Sequence, residues 1–343
     1  MSVEPGLTSS QISEHGVETE LRGGPIPESQ RKRGRGMGPR HLSGSVLAVL
    51  SSALLYLSFF LSILAPVPLL WVRLVRGRWA AMGATVLNGA LVFALSGWPG
   101  LAGYFVFAVA TAWGLAEISL VLASRSARRS VGVERRLFWL LSGSALGVAV
   151  ALGGAVFAWA RVAQISPWAE LLRGLDWLGA QMIAQAPAGT MDAADWAVQR
   201  DQWIRNLPSS LAIAMLLQCW MAMTLIFRIN PARIRERLGV SASFHRLWRN
   251  PEGLVWPTLA AGFGVLVLHG AAADAASNLL KVLLAFYGLQ GLAILGGVFD
   301  LWRLRGFGRA AAFFLVFTLM LPLVLALGFF DLWFDFRAKF RQS

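Results

Sequence analysis

The sequence predicts an all-α protein, a polytopic transmembrane helical bundle with about eight membrane segments. Of its 343 residues 56% are hydrophobic and only 14% are charged, whereas a soluble domain carries about 25% charged residues. The mean hydropathy is +0.59. The apolar residues gather in blocks of about 20, the length at which a helix crosses a hydrocarbon core. These observations exclude an ordinary soluble domain.

The first 42 residues are predicted to be a disordered, basic, cytoplasmic tail. They are mostly Gly, Ser, Pro, Glu and Arg, with too little apolar content to offset the entropy of ordering. A basic cluster lies just before the first apolar block, where it suits anionic lipid head groups. Nucleic-acid binding is the alternative, but no aromatic residues interleave with the cluster, so we expect no nucleic-acid partner. The cluster comprises Arg31, Lys32, Arg33, Arg35 and Arg40.

Residues 43–343 are predicted to form the transmembrane domain, with Arg-rich loops on one side only. The loops after the third, fifth and seventh blocks are rich in Arg, whereas residues 97–100 and 270–278 contain no Lys or Arg. The positive-inside rule places the Arg-rich loops and the N-terminus in the cytoplasm of a bacterial cell, as in a multi-pass inner-membrane protein. The apolar blocks are approximately 44–72, 80–97, 101–124, 137–160, 208–229, 253–273, 279–300 and 310–330.

The first block has basic residues on both flanks, which a single crossing would place on opposite sides of the membrane. Pro66 and Pro68 interrupt it, and proline ends or kinks a helix. One interpretation is a Pro-containing hairpin over 44–76, in which residues 44–63 cross and 67–76 return as a short segment. The other is one long tilted helix with a proline kink.

The outer loop, residues 161–207, is predicted to contain interfacial amphipathic helices. Ser166-Pro167 is a helix start, since Ser caps and Pro favours the first helical position. Trp168, Leu171 and Leu175 follow at helical spacing, and a second helix is predicted over 190–206. Together they form either a lid or a membrane-surface anchor, for which interfacial Trp is typical. The last block is expected to end in an amphipathic stretch, residues 331–337, lying flat at an interface.

Polar residues inside the apolar blocks are the candidate functional residues, because a polar group in hydrocarbon costs free energy unless it is paired or faces a cavity. Glu117 must pair, protonate or face water, as a ligand contact or as a structural hydrogen bond. Asn88, Gln218 and Gln290 fit the same two interpretations, with helix-to-helix hydrogen bonding the simpler one. Asn278 begins its span one turn before Lys281.

Catalysis finds little support in the sequence. The four His lack metal-ligand spacing, and Cys219 is the only Cys, so we expect no metal site, no cofactor and no enzyme activity. The carboxylates of the outer loop have no evident nucleophile or metal partner.

The C-terminal half resembles the YybS-like family of predicted bacterial membrane proteins. The resemblance rests on Asn250-Pro251-Glu252-Gly253-Leu254-Val255-Trp256-Pro257, Asn278-Leu279-Leu280, Tyr287 to Ala293, and Gly328 to Arg337. It extends over about residues 44–337. The family is similar in outline to the S components of energy-coupling-factor transporters, which implies a compact bundle with a ligand pocket open to the outside. This chain has more spans than those proteins and lacks their Ala-xxx-Ala steps in the first span.

Two functions follow from these observations. The first is binding or permeation of a small molecule through the bundle, which the lipid bilayer surrounds. The second is a membrane scaffold or assembly factor whose partner is another membrane protein. In the first, the pocket between the outer helices and the central spans is expected to be lined by Glu117, Asn88, Trp256, Asn278 and Gln290.

Overall fold

The structure is a computed structural model that describes part of the chain. All described residues belong to one compact unit, Ser45–Ser343. The predicted tail with its basic cluster, most of the block 137–160, residues 127–136 and Arg337 lie outside the described residues. The described ranges are 50–58, 61–126, 142–145, 147–148, 150, 154, 158, 161–164, 166–185, 192–229, 232, 234, 238 and 248–336.

The predicted helical membrane bundle is confirmed. Nearly all of the described residues are helical and none of them forms a strand. Three helices among them are long and apolar enough to cross a membrane: Arg78–Val121, Ala193–Ile229 and Ala271–Leu301. A bent pair, Gly306–Leu319 and Leu321–Phe334, passes the same test when taken together. The count of about eight segments stays a prediction.

The first of these long helices is a folded hairpin. Helix α3 (Arg78–Tyr104) has non-helical backbone angles at Gly97, and a π-helix (Phe105–Ala110) and α4 (Thr111–Ser126) follow it. The Trp113 indole N–H donates to the Thr85 hydroxyl at 3.2 Å, although 28 residues of straight helix would separate them by about 42 Å. The chain therefore reverses at Gly97, where φ is +67°, a conformation that glycine adopts readily. The predicted blocks 80–97 and 101–124 are the two arms.

The predicted Pro-containing hairpin over 44–76 is confirmed within its described residues, 50–58 and 61–76. Residues 50–57 form a helix, α1; a 3₁₀ turn (Ser62–Leu64) and α2 (Pro66–Val75) follow. The Ser52 hydroxyl donates to the Ala65 carbonyl oxygen at 2.7 Å, so the chain has turned back within 13 residues. The other end of α2 lies beside Glu117, about 30 Å along the second arm from Gly97. We call the two ends of this hairpin assembly the Gly97 end and the Arg78 end.

Helix α2 is short and returns through the interior of the bundle. Its ten residues span only about 15 Å. Pro66 is its first residue, a position where the missing N–H removes a donor that would otherwise be unpaired in the bundle. It packs against α3, α4 and the long helix α6, Ala193–Ile229. The buried residues of α2 are Pro66, Val67, Leu69, Leu70, Val72 and Leu74.

The helix predicted to start at Ser166-Pro167 is present as α5, Pro167–Gln185, and its outer, interfacial position stays a prediction. The Ala169 N–H donates to the Ser166 hydroxyl at 3.4 Å, as the capping pattern predicts. The second helix differs from the prediction, since it is the first part of α6 and runs unbroken into the span. At 37 residues α6 is about 55 Å long, well beyond a hydrocarbon core of about 30 Å. Arg200 of α6 pairs with Asp176 of α5 at 2.7 Å.

The C-terminal region forms a second group of helices. A 3₁₀ turn (Glu252–Leu254) leads into α7 (Val255–Val267), and α8 (Ala271–Leu301) runs back alongside it. Helices α9 (Gly306–Leu319) and α10 (Leu321–Phe334) follow. The predicted block 310–330 is not straight, because α9 and α10 meet at 94° just before Pro322, which cannot donate a helical hydrogen bond.

Candidate functional site

A cavity of about 640 Å³ lies where α1, the hairpin arms and α6 meet. Its lining places it toward the Gly97 end, since Ser96 and Gly100 flank the chain reversal. The volume is within the range of small-molecule sites. The lining residues are Tyr56, Leu57, Ser62, Ile63, Ser96, Gly100, Phe107, Ala214, Met215 and Gln218.

Gln218 supplies the best-placed polar group of this cavity. The residue is 4% exposed, and its Oε1 accepts a long hydrogen bond of 3.5 Å from the Thr111 hydroxyl. Its Nε2 group has no hydrogen-bond partner among the described residues. An amide N–H₂ group without a protein partner in an otherwise apolar setting can donate a hydrogen bond to a ligand that accepts one there.

The remaining lining is chiefly apolar. The Ser96 hydroxyl donates to the Val92 carbonyl oxygen at 2.7 Å, so its proton is already engaged within α3. The Tyr56 ring stands edge-on against Tyr104 at 5.3 Å between centroids, which fixes one wall. No charged side chain occurs among the lining residues that the structure describes.

Glu117, a predicted pocket residue, lies outside this cavity and pairs with Arg73 of α2. The Arg73 Nη2 and Nε groups donate to Glu117 Oε1 at 2.6 and 3.0 Å. The Arg73 side chain is 12% exposed and that of Glu117 49%, and the guanidinium also stacks over Trp113. Because Glu117 lies about 30 Å from Gly97, it stands near the Arg78 end rather than deep in the bundle.

Asn88, the second predicted pocket residue, joins two helices. It is fully buried. Its Oδ1 accepts the Ala53 N–H at 3.0 Å, and its Nδ2 donates to the Ala84 carbonyl oxygen at 2.7 Å. The side chain therefore holds α1 against α3, which is the helix-to-helix interpretation of an intramembrane Asn.

Asn278 supports α6 beside its internal proline. Pro208 lies inside the helix, and the backbone groups of Arg205 and Ser209, on its two sides, both bond to Asn278. Asn278 Nδ2 donates to the Arg205 carbonyl oxygen at 2.7 Å, and Asn278 Oδ1 accepts the Ser209 N–H at 3.1 Å. Lys281 donates to Asn206 Oδ1 at 2.5 Å. Asn278 and Lys281 thus fasten α8 to α6.

Gln290 is the centre of a buried polar cluster in the C-terminal group of helices. Its Oε1 accepts the Asn250 N–H at 2.9 Å, and its Nε2 donates to Asp331 Oδ2 at 2.9 Å. Gln290, Asn250 and Asp331 are all almost completely buried. Asp331 therefore turns inward on α10, whereas the sequence analysis placed it on a flat interfacial stretch.

Trp256, the last predicted pocket residue, is 73% exposed on α7. A side chain of this kind on a membrane helix contacts lipid or head groups. The structure thus distributes the five predicted residues over separate places, and none of them lines the cavity.

Sequence reasoning treated Gln218 as packing and did not single out Tyr56, Ser62 or Ser96. The available signal was that Ser62 and Ser96 flank the predicted chain reversals, near Pro66 and near residues 97–100. Which reversals face each other depends on tertiary packing, so the sequence alone did not unite them.

The comparisons with known proteins give a family and nothing further. No curated protein matches the chain, and no solved structure matches it. A family model described as "Predicted membrane protein (DUF2232)" matches residues 45–332. Because this match covers most of the chain, the protein belongs to the DUF2232 family of membrane proteins.

Proposed function

We propose that the protein binds a small molecule within the membrane, in the cavity between α1, the hairpin arms and α6. One observation carries this proposal: a cavity of about 640 Å³ is lined by apolar side chains and by Gln218, whose Nε2 group has no hydrogen-bond partner among the described residues. A packed bundle that only holds itself together is expected to fill such space with side chains.

The architecture supports a binding or permeation component. Helix α2 begins inside the bundle at the buried Pro66, and the 3₁₀ turn before it contributes Ser62 and Ile63 to the cavity. Broken segments at membrane depth are tolerated where protein buries them or where they line a cavity. The proposal includes the similarity to the YybS-like proteins and to the S components. It also includes an inner-membrane location, a cytoplasmic N-terminus and a Gly97 end that faces outward.

The test is a thermal-shift screen of the detergent-purified protein against vitamins, nucleobases, amino acids and ions. A ligand that binds only the folded state raises the melting temperature in proportion to ln(1 + [L]/Kd). Ala214→Phe fills the cavity from α6, and Ala260→Phe makes the same change on an exposed face of α7.

The proposal expects a dose-dependent shift in the unmodified protein and in Ala260→Phe, and its loss in Ala214→Phe. A shift that survives Ala214→Phe would place the ligand elsewhere. No shift with any compound would count against small-molecule binding.

A scaffold for another membrane protein is the second candidate, and helix α9 favours it. None of the residues of α9 is buried, and Phe307 and Phe314 are strongly exposed. A partner helix on this face would be released by Phe314→Ala without a change in the cavity. Co-purification of a stoichiometric partner that is lost in Phe314→Ala would favour this candidate.

A further inference from the structure

We infer that the ligand of this cavity is an uncharged, largely apolar molecule that presents a hydrogen-bond acceptor to Gln218 Nε2. This inference rests on the proposed function and adds the chemical class of the ligand. It follows from the charge of the lining, from the position of the donor and from the apolar walls.

The charge of the lining is the first step. The described lining residues include no acidic or basic side chain. The described ion pair between α2 and the second hairpin arm, Arg73 with Glu117, lies at the Arg78 end, away from this lining. Transfer of an unpaired charge into such a site costs far more than transfer of a neutral molecule of the same shape.

The donor is the second step. Gln218 Oε1 accepts a long hydrogen bond of 3.5 Å from the Thr111 hydroxyl, and Nε2 is the group without a partner among the described residues. An amide N–H₂ only donates. The matching ligand group is therefore a carbonyl, ether or ring-nitrogen acceptor and not another N–H donor.

The apolar walls are the third step. Leu57, Ile63, Phe107 and Met215 offer aliphatic and aromatic surface, and Met adapts its shape to irregular ligands. A rigid ring system suits these walls, since its burial contributes free energy without loss of rotamer entropy.

The experiment compares probes that share one ring system and carry a neutral carboxamide, an anionic carboxylate or a cationic ammonium group. One set is 1-naphthamide, 1-naphthoate and 1-naphthylmethylammonium; the other is adamantane carboxamide, adamantane carboxylate and adamantylmethylammonium. Binding to the full-length protein is measured by thermal shift and calorimetry, with Ala214→Phe as the blocked cavity. We expect the carboxamides to bind at least roughly tenfold more tightly than either charged partner.

Two substitutions at Gln218 test the donor. Gln218→Met keeps the volume and removes the N–H₂ group, so carboxamide binding should weaken by about 3- to 10-fold. Gln218→Glu places a carboxylate in the cavity and should transfer the preference to the ammonium probes. Melting temperatures without ligand show whether each variant is folded.

The outcomes separate this inference from the proposed function. Tighter binding of a charged probe, abolished by Ala214→Phe, would overturn the ligand class and leave the cavity as a binding site. Equal carboxamide affinity in folded Gln218→Met would overturn the role of Gln218. If no probe bound, or if Ala214→Phe bound every probe normally, both proposals would fail.

Discussion

Gln290 shows how a single amide holds three segments of this chain together. It accepts from the Asn250 backbone and donates to Asp331, and its place is near the middle of α8, about 18 Å along the helix from Asn278. The sequence singled out Gln290 as an intramembrane polar residue. It did not show the partners, because Asn250 and Asp331 are 40 and 41 residues away and meet Gln290 only through packing.

Replacement of Gln290 by Leu should destabilise the protein by roughly 2–4 kcal/mol, because it leaves the buried Asp331 carboxylate and the Asn250 N–H without this partner. The melting temperature in detergent measures the effect. Gln181→Leu on the exposed surface of α5 is the control and should change it little. A Gln290→Leu variant as stable as the control would contradict the cluster's structural role.

Helix α6 is continuous although Pro208 lies inside it, and the reason lies in another helix. Asn278 bonds to the two backbone groups that the proline separates. The sequence analysis separated a helix over 190–206 from an apolar block that begins at residue 208. It missed the continuity because the compensating side chain is on α8, 69 residues along the chain from Ser209.

Replacement of Asn278 by Leu should destabilise the chain by about 1–3 kcal/mol, since it leaves the Arg205 carbonyl and the Ser209 N–H unpaired. In a Pro208→Ala background the same change should cost less, because the helix can then close its own hydrogen bond. A double-mutant cycle of unfolding free energies measures the coupling. Independent, additive effects would show that Asn278 does not compensate for the proline.

The crossing of α8 and α10 depends on two glycines at one point. A Cβ atom at Gly328 would overlap the Tyr287 carbonyl oxygen, and one at Gly291 would overlap the Val324 carbonyl oxygen. Small residues at such crossings let membrane helices approach closely. The sequence contains both glycines, but it does not show that they meet where α8 crosses α10.

Gly328→Ala should therefore destabilise the protein by about 1–3 kcal/mol through overpacking, although Ala is the better helix former. Gly262→Ala on α7 is the matched control, since nothing lies within 4 Å of its added Cβ, and it should be neutral or slightly stabilising. Melting temperatures decide between them. Equal effects at both positions would contradict the close crossing.

The whole molecule is a bundle whose chain reversals, at Ser62–Leu64 and at Gly97, meet beside α6 and line the cavity. Composition and block length were enough to predict the helical membrane class, and the proline pair was enough to suggest the first hairpin. The cavity could not be predicted, because two chain reversals and the separate helix α6 form it together, with lining residues that extend from Tyr56 to Gln218.

The hairpin over 44–76 makes a topological prediction. Cys219 is the only cysteine and is fully buried, so a Cys219→Ala chain is a background for single-cysteine labelling. Arg76→Cys and His41→Cys should react with a membrane-impermeant maleimide only after the cells are permeabilised, and Ala194→Cys should react in intact spheroplasts. Labelling of Arg76→Cys and His41→Cys from opposite sides would contradict the hairpin.

The measurement that tests the central claim most directly is the reactivity of a cysteine placed in the cavity. In the Cys219→Ala background, Ala214→Cys is treated with N-ethylmaleimide with and without the compound that most raises the melting temperature. Ala260→Cys on the exposed face of α7 is the control. We predict that the compound slows alkylation of Ala214→Cys several-fold and leaves Ala260→Cys unchanged. If alkylation of Ala214→Cys is unaffected by a saturating compound, the cavity is not the binding site.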